Sequence, residues 1–151
     1  MRRSLFACAF LAASSAASAQ APGFVSFSLT GLGTSGGTTG VVGESRLPVR
    51  ASDVTARDGV VQIVAGSSRS SLRRITLTLS NPVAGERYAV GEGATLTVRF
   101  ASGNERAPAE GRAWVQVDIA DPSRVAGTFE ATFPQGRIPI ELRGRFDAAL
   151  R

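Results

Sequence analysis

From Phe24 to the end of the chain, hydrophobic and polar positions alternate with a period of two, and no stretch carries a helical period. Val25, Phe27 and Leu29 alternate with Ser26, Ser28 and Thr30. Ile75, Leu77 and Leu79 alternate with Thr76, Thr78 and Ser80, and Leu96, Val98 and Phe100 with Thr95, Thr97 and Arg99. The last third is the clearest. Ala113, Val115, Val117 and Ile119 share one face, and Val125, Gly127, Phe129, Ala131 and Phe133 share the next. Ile138, Ile140, Leu142, Gly144, Phe146 and Ala148 then hold one phase without a slip, while Arg137, Glu141, Arg143, Arg145 and Asp147 face solvent. Strands with one apolar face are what packed antiparallel sheets require.

Turn residues punctuate this pattern. Gly31 to Gly40 reads as a flexible Gly- and Thr-rich loop. A weaker strand runs from about Leu47 to Ala56. Asp58-Gly59 then signals a two-residue hairpin, because both turn positions need positive φ. Val60 to Ala65 returns, and Gly66 to Ser71 is a polar loop. Asn81-Pro82 ends a strand, since proline lacks the ladder donor. Arg87 to Val90 is a short strand, and Ser102 to Gly111 a polar loop. Asp121-Pro122 and Pro134-Gln135-Gly136 open turns. The pattern predicts an all-β fold: an antiparallel β-sandwich of about eight or nine strands, with a partly closed up-and-down β-barrel as the alternative. Neighbouring strands should pair as meander hairpins. Gly144, mid-strand, would allow a bend or bulge where one sheet curls onto the other. Phe129 and Phe146, in the core phase of adjacent strands, are expected to meet inside.

The N-terminus adds a compartment. Arg2 and Arg3, the apolar run Leu5 to Ala13 and the A-x-A site Ala17-Ser18-Ala19 read as a signal peptide over residues 1–19, cut after Ala19. Residues 20–151 then form a single domain of an exported protein, periplasmic or extracellular, with no transmembrane span. Cys8 sits near the start of the apolar run, too early for a lipid-bearing cysteine, so release without a lipid is expected. Fifteen arginines against twelve acids leave the exported chain at +3. No basic run exceeds Arg73-Arg74, and the other arginines are interleaved with acids, so nucleic acid is not the expected partner.

Beyond Ala19 the chain has no cysteine, histidine or lysine. The thiol nucleophile, the neutral-pH base, the Schiff-base amine and the commonest transition-metal ligands are all missing. There is no Gly-x-Ser-x-Gly motif, and the acids form no obvious facing pair. Asp118, Asp121 and Glu130 make a loose calcium site imaginable, but no Asp-x-Asp-x-Asp-Gly loop supports it, and Asp121 more simply starts its turn. No enzyme activity, cofactor or metal is expected. The outward rows of Thr76, Thr78, Thr95, Thr97, Thr128 and Thr132 are ordinary solvated strand positions. Trp114 is the exception. It falls opposite the core phase, beside Gln116 and Asp118, where an indole can stack on a sugar ring or a partner side chain. Trp114, Gln116 and Asp118 are the candidate binding residues. Tyr88 reads as a core or corner residue.

The order of Ile75-Thr76-Leu77-Thr78-Leu79, Gly85-Glu86-Arg87-Tyr88-Ala89-Val90, Gly111-Arg112-Ala113-Trp114-Val115-Gln116-Val117, Val125-Ala126-Gly127-Thr128-Phe129 and Gly144-Arg145-Phe146-Asp147 resembles a family of uncharacterised bacterial secreted and lipoprotein β-domains, a domain of unknown function. The resemblance implies an antiparallel β-sandwich in the cell envelope and brings no activity or site residues. The expected function is a non-enzymatic module that binds a glycan or protein partner, or is structural in the envelope. The alternative is a carrier of small apolar ligands, which requires a gap among Phe27, Phe100, Phe129, Phe133 and Phe146.

Overall fold

Period-two alternation gives each strand one apolar face, and in the computed structural model those faces turn toward one interior. The structure describes residues 23–34, 38–70, 72–101, 103–134 and 139–150; the side chains of 31–34, 38–44 and 51 are not among what is described. The expected signal peptide and cleavage site, Gln135 and Gly136 of the turn after Pro134, Arg137 and Ile138 lie outside the described residues.

Ten strands follow one another: β1 (Gly23–Thr34), β2 (Thr38–Arg57), β3 (Val60–Gly66), β4 (Leu72–Ser80), β5 (Arg87–Val90), β6 (Gly93–Phe100), β7 (Glu105–Arg106), β8 (Ala113–Asp121), β9 (Arg124–Phe133) and β10 (Ile140–Ala149). Among the described residues there is no helix, so none that could cross a membrane. The strands form one sheet in the order β4-β3-β2-β1-β10-β9-β8-β5-β6-β7, and β4 pairs with β6 as well. The hydrogen bonds therefore run in a ring, with β7 attached to the outside of β6. Every pairing is antiparallel except β5 with β6. Closure is thin at β5. It meets β6 at Ala89↔Gly93 and Val90↔Ala94 only, and β8 from Arg87↔Gln116 to Ala89↔Trp114. The all-β antiparallel architecture is as expected and fits a β-sandwich or a partly closed barrel.

The hairpins form where turn chemistry placed them. Asp58 and Gly59 both have positive φ, 52° and 78°, as a tight turn that follows strand twist demands. β4 stops at Ser80, just before Asn81-Pro82. Tyr88 is the corner residue beyond it. Its half-buried ring packs against the core, its hydroxyl accepts from the Val83 amide at 2.8 Å, and it lies 3.2 Å from the Asn81 carbonyl and 3.1 Å from Glu86 Oε2. Burial is the main reason its phenol titrates above the usual value. The corner fixes β5, and with it the side chain of Arg87.

The interior is a single cluster that includes Phe27, Phe100, Phe129, Phe133 and Phe146. Phe100 and Phe133 meet edge to face at 6.2 Å. Phe129 and Phe146 are both buried, and each lies against a glycine of the other's strand. The register sets Phe129 opposite Gly144 and Phe146 opposite Gly127. A Cβ on Gly144 would collide with the Phe129 ring, and one on Gly127 with the Phe146 ring. Both glycines are missing side chains that the neighbouring ring replaces.

Three local expectations are corrected. Gly31 to Gly40 is not simply a loop: β1 runs to Thr34 and β2 starts at Thr38, paired at Leu32↔Gly40, Gly33↔Thr39 and Thr34↔Thr38. A glycine- and threonine-rich ribbon can still make its ladder bonds. Gly144 makes no bulge, because β10 keeps unbroken register with both β9 and β1. The bulge is in β8 instead. Between Val117 and Ile119 the register with β9 shifts by one residue, so Asp118 is the extra residue. Ile119 thereby leaves the core phase, and Ala120 packs against the core in its place.

Candidate functional site

Each antiparallel register that aligns core residues also aligns the residues pointing outward. Across the outer face of β8, β9, β10 and β1, Trp114 lies beside Glu130, Glu130 beside Arg143, and Arg143 beside Ser28. The next row is Gln116, Thr128, Arg145 and Ser26. Between the two rows lie the inward residues Phe129, Gly144 and Phe27, with both phenyl rings buried in the core. The trough they leave is a groove of about 380 Å³, with Trp114 at one end and Ser26 and Ser28 at the other. A smaller groove of about 240 Å³ runs on the far side of the Trp114 row, past Arg112, Thr132 and Glu141. A third, of about 410 Å³, continues past Ser26 and Arg145 to Ser45, Arg46 and Phe24 on β1 and β2.

Trp114 is half-buried on the outer face, as its phase implied. Arg87 reaches from β5 and stacks on the indole, its guanidinium carbon 3.9 Å from the ring centroid. Such a cation–π contact contributes about 0.5–1 kcal/mol at an exposed site. Arg87 approaches from the β5 side, whereas both grooves open on the β9 and β10 side. The indole therefore stands as a wall, backed by a cation and facing a groove. At the opposite end Arg46 stacks over Phe24, also at 3.9 Å.

Charges on this face are partly neutralised. Arg143 Nε is 3.7 Å from Glu130 Oε1. Arg124 grips Asp147 with two hydrogen bonds, Nε to Oδ1 at 2.8 Å and Nη2 to Oδ2 at 2.6 Å. Neither Arg145 nor Arg46 has a carboxylate partner among the described residues. Ser26, between them in the register, is only 6% exposed and is the one buried polar residue of the described chain.

The three residues singled out from the sequence do not line one groove together. Trp114 borders both grooves at its end of the face. Gln116 shares the outward row but borders none of the three grooves. Its amide is 3.5 Å from the Val117 carbonyl. Asp118 sits at the bulge, exposed and away from the grooves. The loose calcium site finds no support either: no three acidic residues converge among the described residues. The Asp121 carboxylate is engaged by the Ser123 hydroxyl at 2.7 Å and amide at 2.8 Å, which hold it below the usual carboxylate range. Arg143, Arg145, Thr128, Ser26 and Ser28 make up half of the groove's lining, and in the sequence each reads only as the polar phase of its strand. The signal was present in the phase of each strand, but only the register joins the strands into rows.

No protein-family model, no curated protein and no solved structure matches this chain.

Proposed function

We propose that this is a non-enzymatic, exported recognition module that binds a saccharide chain across the outer face of β8, β9, β10 and β1. The observation that carries the reading is the groove itself: an aromatic wall and a lining of hydroxyls and guanidinium groups. An indole offers a rigid apolar face at low entropic cost, and sugar rings present apolar C–H faces with hydroxyls at their edges. The adjacent Ser26, Ser28, Thr128, Glu130 and Arg143 supply donors and acceptors for those edges. The packed aromatic interior favours recognition on the outside over the carriage of an apolar ligand inside. The absence of histidine, cysteine and lysine after Ala19 fits binding without chemistry.

The test is a glycan array probed with the chain beginning at Gln20, followed by titration of the hits using Trp114 emission, since it is the only tryptophan. Binding should perturb that emission, and Trp114→Ala should abolish binding while leaving the denaturation midpoint nearly unchanged. Binding that survives Trp114→Ala would remove the reading. Export is tested separately by intact mass: a mature N-terminus at Gln20 is expected, and a retained Met1 or a lipid on Cys8 contradicts it.

A further inference from the structure

The groove face is electrically lopsided. At the Trp114 end, Arg143 is matched by Glu130. One outward row beyond Arg145 on β10, Asp147 is taken up by Arg124 through a bidentate pair. What remains is at the β1 and β2 end, where Arg145 and Arg46 flank Ser26 from the two neighbouring strands. Both arginines line the groove of about 410 Å³ that also takes in Ser45 and Phe24. The Arg46 guanidinium is steadied by stacking on Phe24. Neither cation is cancelled by an acid among the described residues.

We infer that Arg46 and Arg145, with Ser26 between them, form a carboxylate subsite, and that the saccharide recognised across this face is a uronate-type acidic chain. The inference rests on the saccharide reading above and adds the class of sugar. Arginine forks match carboxylates with paired hydrogen bonds, and those bonds are stronger than neutral ones. A chain lying across the strands from Trp114 on β8 to Arg46 on β2 crosses four strand spacings, roughly 19 Å. That is room for several sugar rings, one on the indole and a charged one between the two arginines. A compact phosphate or sulfate would use the arginine end alone and gain nothing from Trp114.

The experiment compares oligogalacturonate with a neutral galactan oligomer of equal length by calorimetry, for the chain from Gln20 and for Arg145→Ala, Arg46→Ala and Trp114→Ala. Oligogalacturonate should bind more tightly and weaken as salt rises. Each arginine variant should lose about tenfold or more toward oligogalacturonate, the loss of charge-assisted bonds, with neutral binding unchanged. Trp114→Ala should weaken both. Thermal melts of each variant show whether the fold is kept, and Arg145→Gln repeats the test with a polar, uncharged side chain that keeps more of the stem than alanine. If the neutral oligomer binds as well and the arginine variants change nothing, the carboxylate subsite is wrong and the saccharide reading stands. If neither oligomer binds, or Trp114→Ala is silent, both fail. Equal binding to single-stranded DNA or to phosphatidylglycerol vesicles, with the same arginine dependence, overturns the inference in favour of a general anion site.

Discussion

Gly144→Ala is the sharpest test of the packing. On strand propensity alone the change should help, since replacing a mid-strand glycine removes unfolded-state entropy worth roughly 0.5–1 kcal/mol. The structure reverses the sign. The new methyl group would point inward, onto the Phe129 ring, and would stand 2.5 Å from the Ser26 carbonyl oxygen. The ring could shift only within a filled cluster, and the carbonyl belongs to the paired strand β1. Overpacking of this kind costs about 1–3 kcal/mol, and two obstructions, one of them backbone, place it at the upper end. For a domain of this size ~3 kcal/mol lowers the melting temperature by roughly 10 °C. Urea denaturation read by tryptophan emission gives the value directly. The double variant Gly144→Ala/Phe129→Leu should recover part of the loss but not all, because the Ser26 carbonyl remains. A Gly144→Ala protein as stable as the parent would refute the idea that Phe129 occupies the glycine's side-chain space.

Phe129→Ala and Phe146→Ala should each cost about 3–5 kcal/mol, whereas Thr128→Ala, on the outer face, should stay within about 0.5 kcal/mol; denaturant melts in the reverse order would show the phase to be wrong. Tyr88→Phe removes the acceptor for the Val83 amide and should cost about 1 kcal/mol, with amide exchange quickening at Val83; unchanged exchange there would remove Tyr88 from its corner role. The Asp121 carboxylate, held by Ser123, should titrate below its ordinary 3.8, so the turn's contribution is full above that value and is lost as pH falls through the lower one. Ser123→Ala should bring the midpoint back toward 3.8 in a carboxyl NMR titration, and a parent midpoint at or above 3.8 would contradict the geometry.

Most strands were legible because period-two patterning maps directly onto burial. Leu72 to Ser80 and Arg124 to Phe133 alternate in the structure nearly as they do on the page. Asp58-Gly59 was equally plain, since few residue pairs accept two positive φ values. The failures share a cause. Gly144 suggested a bulge because a lone strand does not reveal that an aromatic ring across the ladder needs the space. Ile119 kept its apolar character but lost its phase, because the bulge at Asp118 depends on how β8 meets β9. The Gly31 to Gly40 segment lacks side-chain pattern altogether, so its pairing is carried by backbone bonds that composition does not encode. Trp114 stands out in the sequence because its phase is anomalous, and it borders the groove. Its partners do not stand out, because serine, threonine and arginine on outward positions are normal for any solvated strand.

That last point bears on where function can be built in such a fold. Every antiparallel sheet leaves a trough over each row of inward residues, and in most sheets long outward side chains lean across and fill it. Here the central trough stays open because three of the residues beside it, Ser26, Ser28 and Thr128, are short. The long ones, Trp114, Glu130, Arg143 and Arg145, stand along its sides, and two of them are tied to each other. Arg87 and Arg46, at the two ends, are drawn onto aromatic rings instead of into the trough. Replacing Ser28 and Thr128 with longer residues would leave the core, the register and the charge pattern untouched and would still close the groove. In the proposed recognition, the selectivity of this face thus rests as much on its small residues as on its tryptophan. Small outward residues are invisible to a search for catalytic or aromatic side chains, and they become a site only when the register sets them in a row.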